Sequence, residues 1–316
     1  MTASASCEGA AGDSGARAMA SPGASSVSLS SGRTTTTGPG RPDRVVASVF
    51  VNPTQFGPNE DFDRYPRTPE ADARGLDAAG CDLLWMPSVE TMYPLGVART
   101  VTVRVPGVTT ILDGAHRPGH FDGVATVVAR LFNQVQPDVA AFGRKDYQQV
   151  AVIRHLVADL AFPVRVLPVA ISREADGLAR SSRNQYLDAE ARARAPALYR
   201  SLASLRDALQ AGQSAAAAEA GAVEALRAAG FEVDYVEVRA PDLAPYAGGD
   251  GVALAAARLG RTRLIDNLEF SSGAGDAAGS KLEKAERLGV PVIQGTDGGD
   301  PAAVAFDAAG AEAAAT

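Results

Sequence analysis

The sequence predicts an α/β fold: a Rossmann-like parallel sheet followed by a smaller α+β C-terminal domain. Between Asp43 and Ala170, apolar runs rich in β-branched residues alternate with amphipathic helical patterns, as in strand–helix–strand units with parallel strands. After Asn184 this alternation gives way to an Ala-, Arg- and Leu-rich helical stretch and then to three strand-like runs. The chain has 316 residues, which is enough for about two domains.

The first predicted element is a strand over residues 43–52, whose nearly continuous apolar character indicates burial on both faces of the sheet. A helix follows, with Thr68 as its cap, Pro69 in its first turn and Gly80 at its end. The remaining elements of the first unit are strands at 82–86, 138–142 and 164–170 and helices at 124–135 and 147–160. The second unit contains a helical stretch at 188–229 and strands at 232–239, 252–258 and 263–266.

The two ends of the chain differ in composition from the middle. In residues 1–42, 32 of the 42 are Ser, Gly, Ala, Thr or Pro. The segment therefore has too few large apolar residues to offset the entropy lost on ordering, and it is predicted to be disordered. A Gly-, Ala- and Asp-rich tail at 271–316 is predicted to be mostly disordered. Between them lie a predicted Rossmann-like domain at 43–171 and a small C-terminal domain at 172–270.

The overall charge and the cysteines exclude several classes of protein. With 30 Lys+Arg and 37 Asp+Glu the formal net charge is −7, which argues against a nucleic acid or an anionic membrane as the partner. Cys7 and Cys81 have no paired spacing, so neither a disulfide framework nor a thiolate zinc site is indicated. No apolar run approaches the roughly 20 residues of a membrane span. A cytoplasmic location is predicted.

The first candidate site follows the first strand, at Asn52-Pro-Thr-Gln55. Ligands of open α/β sheets bind beyond the carboxyl ends of the strands, so the side-chain amides of Asn52 and Gln55 are candidates for contacting a small polar substrate. On the local pattern alone, the alternative that Asn-Pro merely sets a turn is favoured.

The second candidate is the Gly143–Asp146 segment, which again joins a strand to a helix. Gly143 allows close approach of a ligand to the backbone, Lys145 offers a cation for phosphate, and Asp146 can accept from ribose hydroxyls. The competing interpretation is a charged, solvated start of a helix.

The third candidate lies at the domain junction, where Ser181, Ser182 and Arg183 provide hydroxyl and guanidinium donors for phosphate oxygens. Asn184 is a candidate cap for the next helix. His116 and His120 straddle Pro118-Gly119, so a zinc pair on one helix is not predicted. The sequence contains neither a P-loop, nor a Gly-x-Gly-x-x-Gly fingerprint after a strand, nor a Gly-x-Ser-x-Gly elbow.

Six segments in order resemble the pantothenate synthetase family: VNPTQFGPNEDFDRYPRTP, MYP, HRPGHFDGVATVV, FGRKDYQQ, READGLARSSRNQYL and ARLGRTRLIDN. The resemblance implies an ATP-dependent ligase (EC 6.3.2.1) that joins pantoate and β-alanine through a pantoyl-adenylate, giving pantothenate, AMP and diphosphate. It also implies Mg²⁺, a homodimer, a nucleotide- and pantoate-binding first domain, and a second domain that serves as lid and dimer contact.

The resemblance also assigns roles to single residues. Gln55 corresponds to a contact shared by pantoate and β-alanine, while Asn52 and Gln149 correspond to further pantoate contacts. The positions corresponding to ATP contacts are Gly143, Arg144, Lys145, Asp146, Ser172, Arg180, Ser181, Ser182 and Arg183. The family often has Met at the position of Arg180.

One family feature is missing from this sequence. The resemblance implies a further strand before residue 43, at the centre of the sheet, ending in a Met-Gly turn and a His-x-Gly-His helix start that supplies the general acid. Residues 1–42 contain no histidine, so no catalytic residue is predicted, the neighbouring strands are expected to lack partners, and activity is expected to be weak. One hypothesis is that residues 1–42 derive from a displaced reading frame or wrong start. The alternative function is a non-catalytic paralogue that binds nucleotide or pantoate.

Overall fold

The structure, a computed structural model, describes residues 28–30 (backbone only), 44–57, 62, 65 and 67–271. The segments predicted to be disordered therefore lie outside the described residues, apart from residues 28–30 and Ser271. Among the described residues, no helix combines the length and the apolar character needed to cross a membrane.

The first domain contains a five-stranded sheet with the order β3-β2-β1-β4-β5. Its strands are β1 (Ser28–Ser30), β2 (Val45–Ser48), β3 (Leu83–Trp85), β4 (Val139–Gly143) and β5 (Arg165–Val169). The pairs β2/β3 and β4/β5 are parallel, as predicted from the alternation of strands with helices. Each strand predicted for this domain is formed: β2, β3 and β5 are shorter than predicted, whereas β4 has the predicted length and begins one residue later.

β1 corrects the predicted disorder of residues 1–42 at one place. Ser28–Ser30 pairs antiparallel with β2 on one side and with β4 on the other, three residues each. The expectation that these two strands would lack partners is therefore wrong. Backbone N–H and C=O groups buried in the centre of a sheet require partners, and here a short antiparallel segment supplies them where the resemblance implies a different strand.

The helices of the first domain connect and cover these strands. They are α1 (Pro69–Ala78), α2 (Val89–Met92), α3 (Asp113–His116), α4 (His120–Val135) and α5 (Tyr147–Asp159). α4 presents the predicted apolar face, with Val124, Val127, Val128, Leu131 and Phe132 all buried in the domain core. Thr68 occupies the cap position of α1 but makes no cap hydrogen bond; its hydroxyl lies 3.3 Å from the Asp72 carboxylate instead.

The second domain packs helices on a three-stranded antiparallel sheet with the order β6-β7-β8. The strands are β6 (Glu232–Arg239), β7 (Gly251–Leu259) and β8 (Thr262–Phe270), and the helices are α6 (Ala189–Arg194), α7 (Ala197–Gln210) and α8 (Ala215–Ala228). The single helical stretch predicted at 188–229 is thus three helices. Asp188, rather than Asn184, caps α6. The side of β7 that carries Val252 and Leu254 packs against Leu112 of the first domain, so the two domains share an apolar contact.

Candidate functional site

A cavity of about 1140 Å³ opens between the two domains. The first domain contributes the loop after β2 and the segment joining α3 to α4, and the second contributes the turn between β7 and β8. Arginines dominate the lining: Arg117, Arg183, Arg194, Arg258, Arg261 and Arg263, beside His116 and His120, with Asp188 and Asp234 as the acidic residues. The cavity is therefore suited to an anionic ligand.

Gln55 lines this cavity, and the buried side chain of Asn52 holds Gln55 in place. Asn52 is 1% exposed. Its amide group donates to the side-chain oxygen of Gln55 at 3.1 Å and to the carbonyl of Gly123 at 3.1 Å. Its oxygen accepts from the Tyr93 hydroxyl at 2.6 Å and the Thr54 hydroxyl at 2.9 Å. Asn52 thus fixes the turn and Gln55, while its own polar atoms are engaged inside the protein.

The loop after β2 lies directly against α4, and this close approach depends on Gly123. A Cβ atom at Gly123 would lie 2.4 Å from the carbonyl oxygen of Thr54 and 2.8 Å from Cα of Gln55. Both distances are shorter than any real contact allows. A glycine in the first turns of α4 therefore decides where Gln55 lies.

The segment between α3 and α4 is a part of the site that sequence reasoning missed. His116, Arg117 and His120 all line the cavity. Nδ1 of His120 lies 2.8 Å from the carbonyl oxygen of Gln55 and Nε2 lies 3.1 Å from Arg117, as in a neutral ring that donates at Nδ1 and accepts at Nε2. The signal in the sequence is the HRPGHFDGV motif, whose two histidines point first to a metal pair rather than to a cavity wall.

The Gly143–Asp146 segment lies at the carboxyl end of β4, where it forms a 3₁₀ turn before α5. Asp146 is exposed, while Lys145 is half-buried. A Cβ at Gly143 would meet nothing within 4 Å, and its φ of −67° is open to any residue. The fold itself does not require glycine there, and open space remains beside the backbone.

Lys145, Ser181 and Arg183 come together in a small cleft next to the main cavity. Arg183 lines both spaces. Ser181 caps the short 3₁₀ helix Ser182–Tyr186, and its hydroxyl accepts from the backbone N–H of Arg183 at 3.3 Å. The second and third candidate segments, 35 residues or more apart in sequence, are therefore neighbours in the structure.

The other predicted contacts lie nearby in different settings. The hydroxyl of Ser182 lies 3.2 Å from that of Tyr65. The carbonyl of Ser172 accepts from the backbone N–H of Arg180 at 2.9 Å. The guanidinium of Arg180 lies 3.4 Å from Glu174, and its buried Nε has no hydrogen-bond partner.

The two adjacent glutamines of α5 have different environments. Gln148 is 4% exposed, accepts from the backbone N–H of Asp113 and donates to two carbonyls of the preceding loop. It is a structural residue. Gln149 is half-buried and is not among the residues that line either space.

A buried charge cluster joins the domains beside the cavity. Arg263 contacts Asp113 of α3 at 2.7 Å and Asp234 of β6 at 2.6 Å. The Tyr235 hydroxyl donates to Asp113 at 3.2 Å. Burial alone would raise the pKa of Asp113, but the Arg263 guanidinium outweighs it and holds that pKa below its usual value. Burial, reinforced by Asp113, raises the pKa of Tyr235.

The described residues contain no cluster of three or more His, Cys, Asp or Glu side chains suited to a metal ion. Within this part of the chain the protein therefore offers no cage of its own for a metal ion.

Comparison with known proteins gives a consistent result. The family model described as pantoate-beta-alanine ligase matches residues 36–269. A pantothenate synthetase of Stenotrophomonas maltophilia (strain K279a) is 64% identical over 230 residues, which cover 72% of this chain and 82% of that protein. One of Xanthomonas euvesicatoria pv. vesicatoria is 66% identical over 232 residues, covering 72% and 82%.

Two solved structures are also similar to this chain. Pantothenate synthetase from Thermus thermophilus has a TM-score of 0.69 and 52% identity, and the match covers 72% of this chain and 84% of that one. The pantoate-beta-alanine ligase of Francisella tularensis, solved with Beta-gamma ATP and β-alanine, has a TM-score of 0.60 and 30% identity, with coverage of 74% and 81%.

Proposed function

The chain belongs to the pantoate-beta-alanine ligase family, and on this premise we propose that the space between its domains joins pantoate to β-alanine with ATP. One observation carries the proposal. Arg183 lines both the cleft that contains Lys145 and the cavity that contains Gln55. A phosphate-binding group and a substrate-binding amide thus meet at one guanidinium.

The ATP phosphates are assigned to the junction of the cleft with the main cavity, because the cleft alone, at about 20 Å³, has room for about one water molecule. Lys145 and Arg183 supply positive charge, and Ser181 and Ser182 supply hydroxyl donors, which together match the oxygens of a triphosphate. Open space beside Gly143 leaves room for the nucleotide along the turn, with the exposed Asp146 as the ribose contact. Ser172 and Arg180 complete the predicted nucleotide contacts. Mg²⁺ bound to the ATP phosphates would supply further positive charge beside Lys145 and Arg183.

Pantoate and β-alanine are assigned to the main cavity, next to Gln55. Because the polar atoms of Asn52 are occupied, we propose that Asn52 acts on pantoate through Gln55 rather than by direct contact. Gln149, half-buried near the start of α5, remains a proposed pantoate contact.

The chemistry needs positioning and charge neutralisation more than a protein nucleophile. A pantoate carboxylate oxygen attacks the α-phosphorus of ATP, and diphosphate leaves with the electrons of the broken P–O bond. The β-alanine amine then attacks the acyl carbon of the adenylate, AMP leaves, and the amine loses a proton. Lys145 and Arg183 face the charge that grows on the phosphates in the first step.

The absence of a His-x-Gly-His segment from this sequence affects the first step alone. We therefore expect slow formation of pantoyl-adenylate, while capture of a supplied adenylate by β-alanine should proceed. The same absence favours the second candidate, a paralogue that binds nucleotide or pantoate without catalysis.

Two assays with the full chain separate these functions. The first measures AMP release from ATP, pantoate and β-alanine, and the second measures pantothenate formation from synthetic pantoyl-adenylate and β-alanine. We expect the second reaction to exceed the first by at least about 10²-fold, because general acid catalysis contributes on that scale. Gln55→Glu and Arg183→Met should each reduce the second reaction, whereas Arg104→Met, on an exposed pair away from the cavity, should not. Binding of ATP with no turnover in either assay would establish the paralogue.

The homodimer implied by the resemblance stays a prediction, as does the cytoplasmic location. Light scattering of the purified chain at micromolar concentration tests the former, with about twice the 32.4 kDa chain mass expected.

A further inference from the structure

β8 reaches across from the small domain to the turn that precedes α5. Asn267, on this strand, is 3% exposed. Its side-chain amide donates to the backbone carbonyl oxygens of Arg144 and Lys145, at 2.8 Å in each case. The two hydrogens of one amide group therefore hold two consecutive carbonyls of the turn.

Asn267 is itself held rigidly. The neighbouring Asp266, whose side chain is 2% exposed, accepts two hydrogen bonds from Arg173 at 2.7 and 3.0 Å and one from the backbone N–H of Asn267 at 2.8 Å. Arg173 also donates to the carbonyl of Asn267, and its guanidinium lies over the Tyr199 ring at 4.1 Å. A bidentate, stacked guanidinium has little freedom, so this part of β8 is a firm support.

The direction of the Lys145 side chain depends on the backbone that Asn267 holds. Lys145 lines the small cleft with Ser181 and Arg183, and Asp266 lines it too. We propose that Asn267 is a positioning residue for this turn: it fixes the backbone from which Lys145 enters the phosphate cleft, and so makes nucleotide binding depend on contact between the domains. The identity of the ligand rests on the proposed function, whereas the positioning does not.

The positioning is tested without any ligand, by hydrogen exchange. Asn267→Leu keeps the shape of the side chain and removes both donors, and Asn267→Ala replaces it if the Leu variant fails to fold. We expect amides of a peptide spanning 143–149 to exchange about 10-fold faster than in the wild type, the size expected from losing hydrogen bonds of ordinary strength. Unchanged exchange in that peptide, in a variant whose other peptides match the wild type, would overturn the proposal.

Glu269→Gln is the matched control. Glu269 lies two residues further along β8 and pairs with the exposed side chain of Arg144, not with the backbone of the turn. Its replacement should leave the exchange of the 143–149 peptide within about twofold of the wild type, because exposed ion pairs contribute little. Equal acceleration in this control and in the Asn267 variant would also contradict the proposal.

A double-mutant cycle then tests the route through Lys145, with ATP affinity measured by calorimetry. Asn267→Leu should lower the affinity for ATP about 10-fold when Lys145 is present and less than about twofold in a Lys145→Ala background. A residue that acts through Lys145 has no effect once Lys145 is replaced. Equal losses in both backgrounds would indicate a general structural role and refute the positioning. A wild type that binds no ATP would refute the proposed function, and the exchange result would still decide the positioning.

Discussion

Arg263→Met is the most informative test of how the two domains are held together. The substitution keeps most of the apolar stem of Arg263 and removes its charge. The Arg263 side chain is 13% exposed, and its partners Asp113 and Asp234 are 12% and 15% exposed. Asp113 would then be left buried without its ion-pair partner, while Asp234 would keep only the longer pair with Arg258 at 3.9 Å. Breaking a buried ion pair in this way costs about 3–5 kcal/mol, a large part of a typical folding free energy of roughly 5–15 kcal/mol.

The free energy of unfolding is measured with urea, followed both by far-UV circular dichroism and by the fluorescence of Trp85, the single tryptophan. At pH 7 we expect a loss of about 3 kcal/mol or more. The loss should shrink as the pH falls toward about 4, because the stranded carboxylates then take up protons. Arg104→Met is the control: Arg104 pairs with Asp122 at 3.1 Å but is 77% exposed, so about 1 kcal/mol or less is expected. An Arg263→Met loss no larger than the control's would refute the reasoning.

Three further predictions concern single positions. Gly123→Ala should destabilise the protein by about 2 kcal/mol or more, because the added Cβ would lie 2.4 Å from a backbone carbonyl oxygen. Gly75→Ala, inside α1 with nothing within 4 Å of the added Cβ, should instead stabilise it by up to about 1 kcal/mol. Thermal unfolding of the two variants tests the difference. Ala161, after α5, and Gly212, after α7, have φ angles of 51° and 88°, in the left-handed region that favours glycine. Ala161→Gly should therefore stabilise the protein by about 0.5 kcal/mol and Gly212→Ala should destabilise it by about 1 kcal/mol. A lower stability of the Ala161→Gly variant would contradict this. Asp113→Asn should remove a pH dependence: the pKa of Asp113 is lowered by folding, so its stabilisation is present above about pH 3.9 and is lost as the pH falls through the lower folded value. The difference in urea stability between wild type and variant should therefore narrow below about pH 4, and a constant difference would count against the pairing.

The spacing of apolar residues was enough to predict most helices and strands, because burial of one face imposes a periodicity that a single sequence shows. The strand expected at 232–239 is formed by Glu232–Arg239, and the apolar face expected on the helix at 124–135 is the buried face of α4. Breaks were harder to place. The stretch at 188–229 has helical composition throughout, and only its tertiary packing shows that it divides into α6, α7 and α8.

The strand at Ser28–Ser30 could not be predicted from its own residues. Ser-Leu-Ser carries little strand preference and lies within low-complexity sequence. Its pairing follows from β2 and β4, whose inner edges would otherwise present unpaired backbone groups. The need for a pairing partner comes from β2 and β4, so the residues of the paired segment do not themselves predict the strand.

The sheet topology was enough to predict that Gln55 and Lys145 lie beyond the same edge of the sheet. Gln55 and Lys145 both follow strands of one sheet, in which the strands before them run towards the same edge. The inward orientation of Asn52 and the support given by Asn267 depend on contacts 71 and 123 residues away in sequence, so no local pattern signals them.

The charge distribution of the cavity shows why the overall composition argues against a nucleic acid as ligand but gives no information about a small anion. A net charge of −7 disfavours a nucleic acid, because a polyanion needs an extended basic surface. A small anion needs only local charge. Six arginines and two aspartates line the space between the domains, and low-dielectric walls concentrate their field within it. The acidic residues that make the whole chain negative lie largely elsewhere, so an acidic protein can still contain a strongly cationic pocket, here lined by the β7–β8 turn and the segment between α3 and α4.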